Sequence, residues 1–341
     1  MKKTWLLAAL FALLGVGTWY VLTQKKNQNS SRNSTDMDFA VKDASQIHKV
    51  FIADRTGRTA TIVRQSDGSW LYNDKWKARP TAVQNLIETL TRINVNYVPP
   101  KAAEEHMVKS LATDAVTVEV WNKDGQRIKR YYVGGVTNDE RGTFAIMEGA
   151  EQPYVVHIPG FVGQLRVRYL LGDDDWRDRN VFQEKPEEIQ SVTVDYPGQK
   201  FQSFRLEKTG EAQFAVKPLY PDVPPSPNPM RKGVAEGYIL QFEKLGAEAF
   251  ETKNPKRDSV TATTPFAIVS LKKTDGTEKS VRFFPWEVEI IRETGEPYVH
   301  RFWADASWGD FYLTQDRVFE GVFRGYSYFF GGNGKPPSVR Q

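Results

Sequence analysis

The sequence predicts an α+β protein with two tandem, duplicated antiparallel-sheet domains, each with one main packing helix, preceded by a single N-terminal transmembrane helix. Three observations support this prediction. Residues 4–23 carry no charged side chain. Short runs of alternating apolar and polar residues, joined by turn sequences such as Asp-Gly, predict hairpins without the regular strand–helix alternation of a parallel sheet. The order of these elements then occurs a second time along the chain.

Composition excludes several classes of protein. With 341 residues, 40% hydrophobic and 26% charged, the chain is neither disordered nor a multi-span membrane protein. Five of the 46 basic residues lie in residues 1–35, which contain no acid, so 41 basic residues face 42 acidic residues in the remainder. The body therefore gives no electrostatic argument for binding nucleic acid. The absence of cysteine excludes disulfides, thiol nucleophiles, thiolate metal sites and a lipoprotein cysteine.

The N-terminal segment predicts a membrane anchor over residues 1–26, with a helix at about 4–23. Lys2 and Lys3 precede the uncharged stretch, and Trp19 and Tyr20 lie where an aromatic interfacial belt is found. A cleaved signal peptide is the alternative, because the apolar run also has the length of a signal sequence. Residues 27–45 are predicted to be a flexible tether, since they begin with the polar run NQNSSRNST.

The first predicted repeat spans residues 46–182. It begins with a strand at Ile47–Asp54, continues through a hairpin at Asp67-Gly68, and reaches a helix that starts at Pro80. The helix has apolar residues on one face and is expected to end before Pro99. Further strands are predicted from their alternation, and the repeat closes with a short amphipathic or irregular segment: Val116–Val120, Ile128–Val133, Phe144–Met147, Tyr154–Ile158 and, last, Phe161–Leu171.

The second predicted repeat spans residues 187–331 and follows the same order. It begins at Ile189–Asp195, and its helix carries Val234, Tyr238, Phe242 and Leu245 at helical spacing. A proline-rich insertion at residues 218–229 precedes that helix. Later strands are predicted at Phe266–Leu271, Val281–Phe284, Tyr298–Phe302 and Phe311–Leu313. Residues 332–341 are expected to form a disordered tail.

Together these residues resemble a known family. The opening strand, the sequence Asp67-Gly68-Ser69-Trp70, the Pro80 helix, Tyr132-Val133-Gly134-Gly135 and the run from Asp175 to Arg179 are similar to the bacterial family described as domain of unknown function 4340. The resemblance implies one N-terminal helix in the inner (cytoplasmic) membrane and a body facing the periplasm. It also implies an accessory role beside components of gliding-motility-type ABC transport systems, and it supplies no catalytic residues.

The sequence contains no recognisable catalytic or metal-binding motif. The four histidines lie on different predicted elements, and no phosphate loop, dinucleotide motif or hydrolase nucleophile motif is present. The S-x-x-K run that starts at Ser270 is interpreted as a coincidence, because it lies on a predicted strand. We therefore expect no catalytic residues, metal ligands or cofactor, and a small-molecule ligand is unexpected.

Three sets of residues are candidates for binding a partner. The densest charge cluster, residues 173–179, includes Asp175, Trp176 and Arg177, and it could be a calcium or charge-pairing site or simply a solvated turn. The insertion contains Pro224, Pro225 and Pro227, which would stiffen an exposed docking loop or a mere connector. The second repeat is rich in aromatic residues, among them Trp303 and Trp308, which would be either core residues or a stacking surface.

These patterns leave three functions open. The leading hypothesis is a non-catalytic, membrane-anchored extracytoplasmic interaction protein whose partner is a membrane protein complex of ABC-type transporter components or another envelope assembly. The second is an envelope carbohydrate-binding module that uses the aromatic surface. The third is an enzyme with an unfamiliar site formed by two of the carboxylates Asp305, Asp310 and Asp316, which would have to converge in a pocket.

Overall fold

The computed structural model describes residues 35–332, except 170, 171, 173, 212 and 292–296. The chain divides into two compact units between Asp178 and Arg179. The predicted anchor at residues 1–26 lies outside the described residues, as does the predicted tail apart from Gly332. Among the residues that are described, no helix is both long and apolar enough to cross a membrane.

Unit 1 contains a nine-stranded antiparallel sheet with the order β4-β3-β2-β1-β6-β7-β8-β9-β5. Two α-helices accompany it, α1 (Pro80–Arg92) and α2 (Lys101–Asp114). The strands are β1 (Lys49–Ala53), β2 (Thr59–Arg64), β3 (Trp70–Tyr72), β4 (Trp76–Lys77), β5 (Asn94–Tyr97), β6 (Val116–Trp121), β7 (Arg127–Val136), β8 (Thr143–Met147) and β9 (Tyr154–His157).

Helix α1 covers the inner face of this sheet. Its first residue is Pro80, whose ring suits the first helical position. Leu86 and Leu90, both fully buried, pack into one core with the inward residues of the central strands, such as Val50 and Val118. This is the amphipathic helix that the spacing of apolar residues predicts.

Besides its main packing helix, unit 1 has a second helix that the sequence does not predict, α2, which packs on the outer face of the same sheet. Its Met107 is buried against Phe144 of β8 and Val155 of β9. Only Met107 and Leu111 of its 14 residues are buried, so the apolar pattern is too sparse to indicate a helix from the sequence.

The predicted tether is also wrong over its second half. Residues 27–34 lie outside the described residues, but Phe39 and Val41 are 1% and 3% exposed and belong to the core of unit 1. The Val41 backbone N–H donates to the Leu90 carbonyl at 2.8 Å, and residues Ala44–Gln46 form a 3-10 turn. The polar run alone suggested a tether, and the apolar residues after it attach this segment to the fold.

Unit 2 contains an eight-stranded antiparallel sheet with the order β13-β12-β11-β16-β17-β18-β19-β15. Its helices are α3 (Val234–Leu240), α4 (Arg257–Thr261) and α5 (Asp316–Phe319). The strands are β10 (Asn180–Phe182), β11 (Ile189–Asp195), β12 (Phe204–Gly210), β13 (Gln213–Pro218), β14 (Leu245–Gly246), β15 (Ala249–Phe250), β16 (Ala267–Lys273), β17 (Glu278–Ile290), β18 (Pro297–Ala306) and β19 (Phe311–Gln315).

The core of unit 2 is strongly aromatic. Tyr238 of α3 lies edge-on to Phe204 of β12, with ring centroids 5.5 Å apart, and it also contacts Phe242 and Phe329. Strands β10 and β14 pair separately from the main sheet. Because β10 pairs with β14, residues 180–182 belong to unit 2, although the sequence placed them at the end of the first repeat.

The two large sheets have the same strand order. Strands β3, β2, β1, β6, β7, β8, β9 and β5 of unit 1 correspond to β13, β12, β11, β16, β17, β18, β19 and β15 of unit 2, and β4 is an addition in unit 1. The main helices also occupy equivalent places along the chain. Helix α1 lies between β3 and β5, and α3 lies between the corresponding strands β13 and β15. The strand that begins the first predicted repeat therefore occupies the same place as the strand that begins the second.

Candidate functional site

Trp176 is a core residue of unit 1 and not a contact surface. Its side chain is 0% exposed and packs in the same core as α1. The Trp176 carbonyl accepts a hydrogen bond from the backbone N–H of Arg79 at 2.7 Å, and the N–H of Asp178 donates to the Lys77 carbonyl at 2.8 Å. Residues 174–178, which we call the closing segment, thus fasten the end of unit 1 beside the start of α1. A partner cannot touch a side chain with no exposed surface, so this prediction is corrected.

The charged neighbours of Trp176 hold the closing segment together. Arg177 is 7% exposed, donates to a carboxylate oxygen of Asp174 at 2.9 Å, and lies 3.7 Å above the ring of Trp76. The Asp175 carboxylate accepts the backbone N–H of Gly172 at 2.9 Å. Of the interpretations of the charge cluster, these contacts favour a turn whose acidic and basic side chains pair with each other. No group of three acidic or histidine side chains suited to a metal occurs within the described ranges.

The proline-rich insertion lies at the surface of unit 2. Pro224, Pro225 and Pro227 are all exposed. Between them, the backbone N–H of Ser226 donates to the Tyr326 hydroxyl at 3.0 Å. Nearer the start of the insertion, the Leu219 backbone N–H donates to the Ser203 carbonyl and the Tyr220 hydroxyl donates to Asp195, so the loop is fastened to the body at several points. Its role in docking a partner stays a prediction.

The two candidate tryptophans of unit 2 have different environments. Trp303 is 5% exposed, stacks on Phe311 at 5.4 Å, and is covered on its other side by Trp286 at 4.8 Å. Trp308 is 39% exposed, and its indole N–H donates to the Tyr312 hydroxyl at 3.1 Å. Trp303 is therefore a packing residue, which corrects its assignment as a binding residue, and Trp308 remains accessible.

The three candidate carboxylates do not form a pair. Asp305 makes ion pairs with Arg257 at 2.8 Å and Arg282 at 2.6 Å. Asp310 directly precedes β19, at the end where Asp305 of β18 pairs with Phe311, and it accepts a hydrogen bond from the Tyr312 hydroxyl. Asp316 follows the other end of β19, about 20 Å from Asp310 at the rise of an antiparallel strand. Burial, and then the neighbouring charge of Glu320, raises the pKa of Asp316 to about 6.

A groove in unit 1, which we call the α1 groove, is an apolar recess on the surface of the sheet and helix. It encloses about 620 Å³ between α1, the turn that joins β2 to β3, and β4. The α1 wall consists of residues on one helical face, since they recur every three or four positions. These residues are Pro80, Val83, Gln84, Ile87, Glu88 and Thr91.

The opposite wall of the α1 groove carries an aromatic ring and a cation. Trp70 begins β3, and the Arg64 guanidinium lies 5.9 Å from the centre of its ring. Arg64 makes no ion pair with any residue that the structure describes. Across the groove, Glu88 accepts hydrogen bonds from Arg168 at 2.8 Å and Arg92 at 2.7 Å, and the Arg168 contact is the main cause that lowers its pKa. The groove is thus apolar, with one uncompensated positive charge on its rim.

The sequence patterns did not identify this groove, although one signal was present. The half-buried Ile87 widens the apolar stripe of α1 beyond Val83, Leu86 and Leu90, which are buried in the core. Such a wide stripe can serve both a core and a second surface. The interpretation assigned the whole stripe to the core.

Comparison with known proteins gives one match. Residues 70–264 match the model of the family described as "Domain of unknown function (DUF4340)", which is more than half of the 341-residue chain. No curated protein and no solved structure matches the chain significantly. The matched region includes α1, Trp70 and the proline-rich insertion.

Proposed function

The chain belongs to the family of the domain of unknown function DUF4340, and from this premise we propose that it is a non-catalytic, membrane-anchored interaction protein. Its partner is a membrane protein complex with ABC-type transporter components, and its body faces the periplasm. The observation that carries the proposal is the α1 groove, an open and mainly apolar recess with the Arg64 guanidinium on its rim.

The lining of the α1 groove favours a peptide segment as the occupant. The face of α1 from Pro80 to Thr91 extends for about 16 Å at 1.5 Å per residue, which is long enough for a short extended segment. The half-buried Ile87 offers apolar contact, and Arg64 offers a charge to a carboxylate. The segment would therefore carry apolar side chains and one acidic residue.

The membrane part of the proposal rests on the sequence. Residues 4–23 have the length and polarity of a single transmembrane helix. The ABC-type partner follows from the resemblance to the family. A protein held at the membrane beside such a complex needs a contact surface and no chemistry of its own.

We also infer that the two units arose by duplication. Eight strands occur in one order in both large sheets, and equivalent strands pair in equivalent register. A shared order of this length is far more easily explained by copying than by chance. Duplication would give the protein two related bodies, of which only unit 1 has the α1 groove.

Capture of the partner from membranes tests the proposal. The full chain with a C-terminal tag is extracted in detergent, and copurified proteins are identified by mass spectrometry. Ile87→Glu places a charge in the α1 groove at a half-buried position, and Val108→Glu is the matched control because Val108 is 51% exposed on α2. We expect Ile87→Glu to lose the transporter components and Val108→Glu to retain them, with similar melting temperatures. Capture that survives Ile87→Glu, or that never includes a membrane complex, would refute the proposal.

A further inference from the structure

The outer faces of the two sheets differ along one equivalent row of residues. In unit 1 the row runs across four strands through Thr61, Phe51, Glu119 and Arg130, which are direct cross-strand neighbours. It ends at Glu148, whose backbone N–H donates to the Arg130 carbonyl. Arg130 makes ion pairs with Glu119 at 3.2 Å and with Glu148 at 2.8 Å. Long, paired side chains therefore fill this part of unit 1.

Short hydroxyl residues occupy most of the same row in unit 2. Arg205, Thr193, Ser270 and Ser280 are cross-strand neighbours in the same register. The backbone N–H of Ser307 donates to the Ser280 carbonyl at 2.8 Å, as Glu148 does in unit 1. We call Thr193, Ser270, Ser280 and Ser307 the hydroxyl row. Where unit 1 is filled by ion pairs, the hydroxyl row leaves a hollow of about 470 Å³.

A hydroxyl next to the row opens into the hollow. Ser191 lines the hollow and is only 5% exposed. Within the described residues its hydroxyl makes no hydrogen bond. Its oxygen is not fully buried and reaches the open space of the hollow, where it can donate and accept hydrogen bonds. The hollow therefore offers the Ser191 hydroxyl beside the hydroxyl row. Within the row, the Ser270 and Ser280 hydroxyls bond each other at 2.9 Å, and the Ser307 hydroxyl accepts the Ser280 backbone N–H at 3.1 Å.

We propose that this hollow on the outer face of unit 2 binds a neutral saccharide. Its volume lies within the range of about 300–1,000 Å³ that is usual for small-molecule sites. Hydroxyl side chains both donate and accept hydrogen bonds, as the hydroxyl groups of a sugar do. Leu271 is the only apolar residue in the lining, and no aromatic ring contributes to it, so neither an apolar ligand nor a stacked base suits the site.

The charges at the rim favour a neutral ligand. Arg205 pairs with Glu207 at 2.6 Å and Lys272 pairs with Glu278 at 3.3 Å. Lys279 pairs with the deeply buried Glu184. Each cation thus already has an acidic partner, and the site has no uncompensated charge to attract an anion. This site is separate from the aromatic surface, and the proposal is independent of the α1 groove.

Binding is tested with the purified full chain in a detergent that has no sugar head group. Maltose, cellobiose and N,N′-diacetylchitobiose are the neutral probes in isothermal titration calorimetry, and sodium galacturonate is the charged comparison. We expect saturable binding of at least one neutral disaccharide in preference to galacturonate. Absence of saturable binding by all the neutral probes, or preference for galacturonate, would overturn the proposal.

Isosteric variants then locate the site. Thr193→Val and Ser191→Ala remove one hydroxyl each and nearly conserve shape, and we expect each to weaken binding about 10-fold, which corresponds to about 1.4 kcal/mol. Thr61→Val is the matched control, because Thr61 occupies the equivalent row of unit 1. Binding that is unaffected by both unit 2 variants, or weakened equally by the control, would place the sugar elsewhere and refute the site.

A third variant gives the hollow of unit 2 the ion pair that occupies the equivalent place in unit 1. Ser270→Glu combined with Ser280→Arg places an ion pair at the positions that Glu119 and Arg130 occupy in unit 1. We expect this double variant to abolish sugar binding, with partner capture by the α1 groove intact. Retained sugar binding would overturn the proposal. If the double variant does not fold, the two isosteric variants decide the outcome.

Discussion

Replacing Trp176 with alanine separates a structural role from a role in binding. The indole is 0% exposed and packs within the core of unit 1. A buried tryptophan removes about 150–250 Å² from water, which corresponds to about 4–6 kcal/mol at 25 cal/mol per Å². This is an upper value, because the unfolded chain buries part of that surface already. Measured tryptophan-to-alanine changes in cores are about 3–5 kcal/mol, and we expect Trp176→Ala to fall in this range.

The assay is urea unfolding of the full chain, analysed as separate transitions of unit 1 and unit 2 because two compact units need not unfold together. Trp176→Phe should cost less, since most of the apolar volume remains. Trp308→Ala is the control, and its exposed side chain should contribute less than about 1 kcal/mol. If Trp176→Ala leaves the unit 1 transition unchanged but abolishes capture of the membrane partner, the structural assignment is wrong and Trp176 is a contact residue.

Three further predictions concern the pH dependence, the proline-rich insertion and the anchor. The pKa of Asp316 is raised to about 6 in the fold, against 3.8 ordinarily, so the folded state binds this proton more tightly than the unfolded state does. The stability that the proton contributes is therefore lost as the pH rises from about 4 to about 6. Asp316→Asn should therefore stabilise unit 2 near pH 7 relative to pH 4, by about 1 kcal/mol after solvent screening of a partly exposed group is discounted; equal effects in urea at both pH values would contradict this. Serine at Pro224, Pro225 and Pro227 should leave the melting temperature nearly unchanged, with a cost of at most about 1 kcal/mol per site, and should weaken partner capture; outright unfolding would instead make these prolines structural. Intact-mass analysis of membrane-extracted protein should find residues 1–26 attached, and a mature chain that starts near Thr18 would rule out the anchor.

The strands could be predicted well because their side chains alternate. Val116, Val118 and Val120 are fully or almost fully buried on one face of β6, and such a strand is readable from one sequence. Helix α2 could not be predicted, because its contact with the sheet depends on only two buried residues. Strand β5 was missed for a similar reason, since its pairing partner β9 is distant in the sequence and most of its own side chains are exposed.

The candidate sites were less predictable, because a surface depends on which elements meet. Trp176 lies in the most charged part of the sequence, so its neighbours suggested a surface, and only the three-dimensional structure shows that the indole points into the core. The hydroxyl row combines residues from β11, β16, β17 and the turn after β18. In the sequence, Ser270 is notable only for the S-x-x-K run and Ser280 for nothing, and strand register makes them neighbours.

The closing segment determines when unit 1 can finish folding as the chain is synthesised. Its backbone pairs with Lys77 and Arg79, which precede it by most of the length of unit 1. A nascent chain that ends before Trp176 lacks this partner for the start of α1, and it leaves a gap in the core where the indole belongs. Long-range pairing of this kind forms late and slowly. Chain elongation must therefore reach the last residues of unit 1 before the α1 groove has its final shape, and protease sensitivity of stalled chains should fall abruptly at that point.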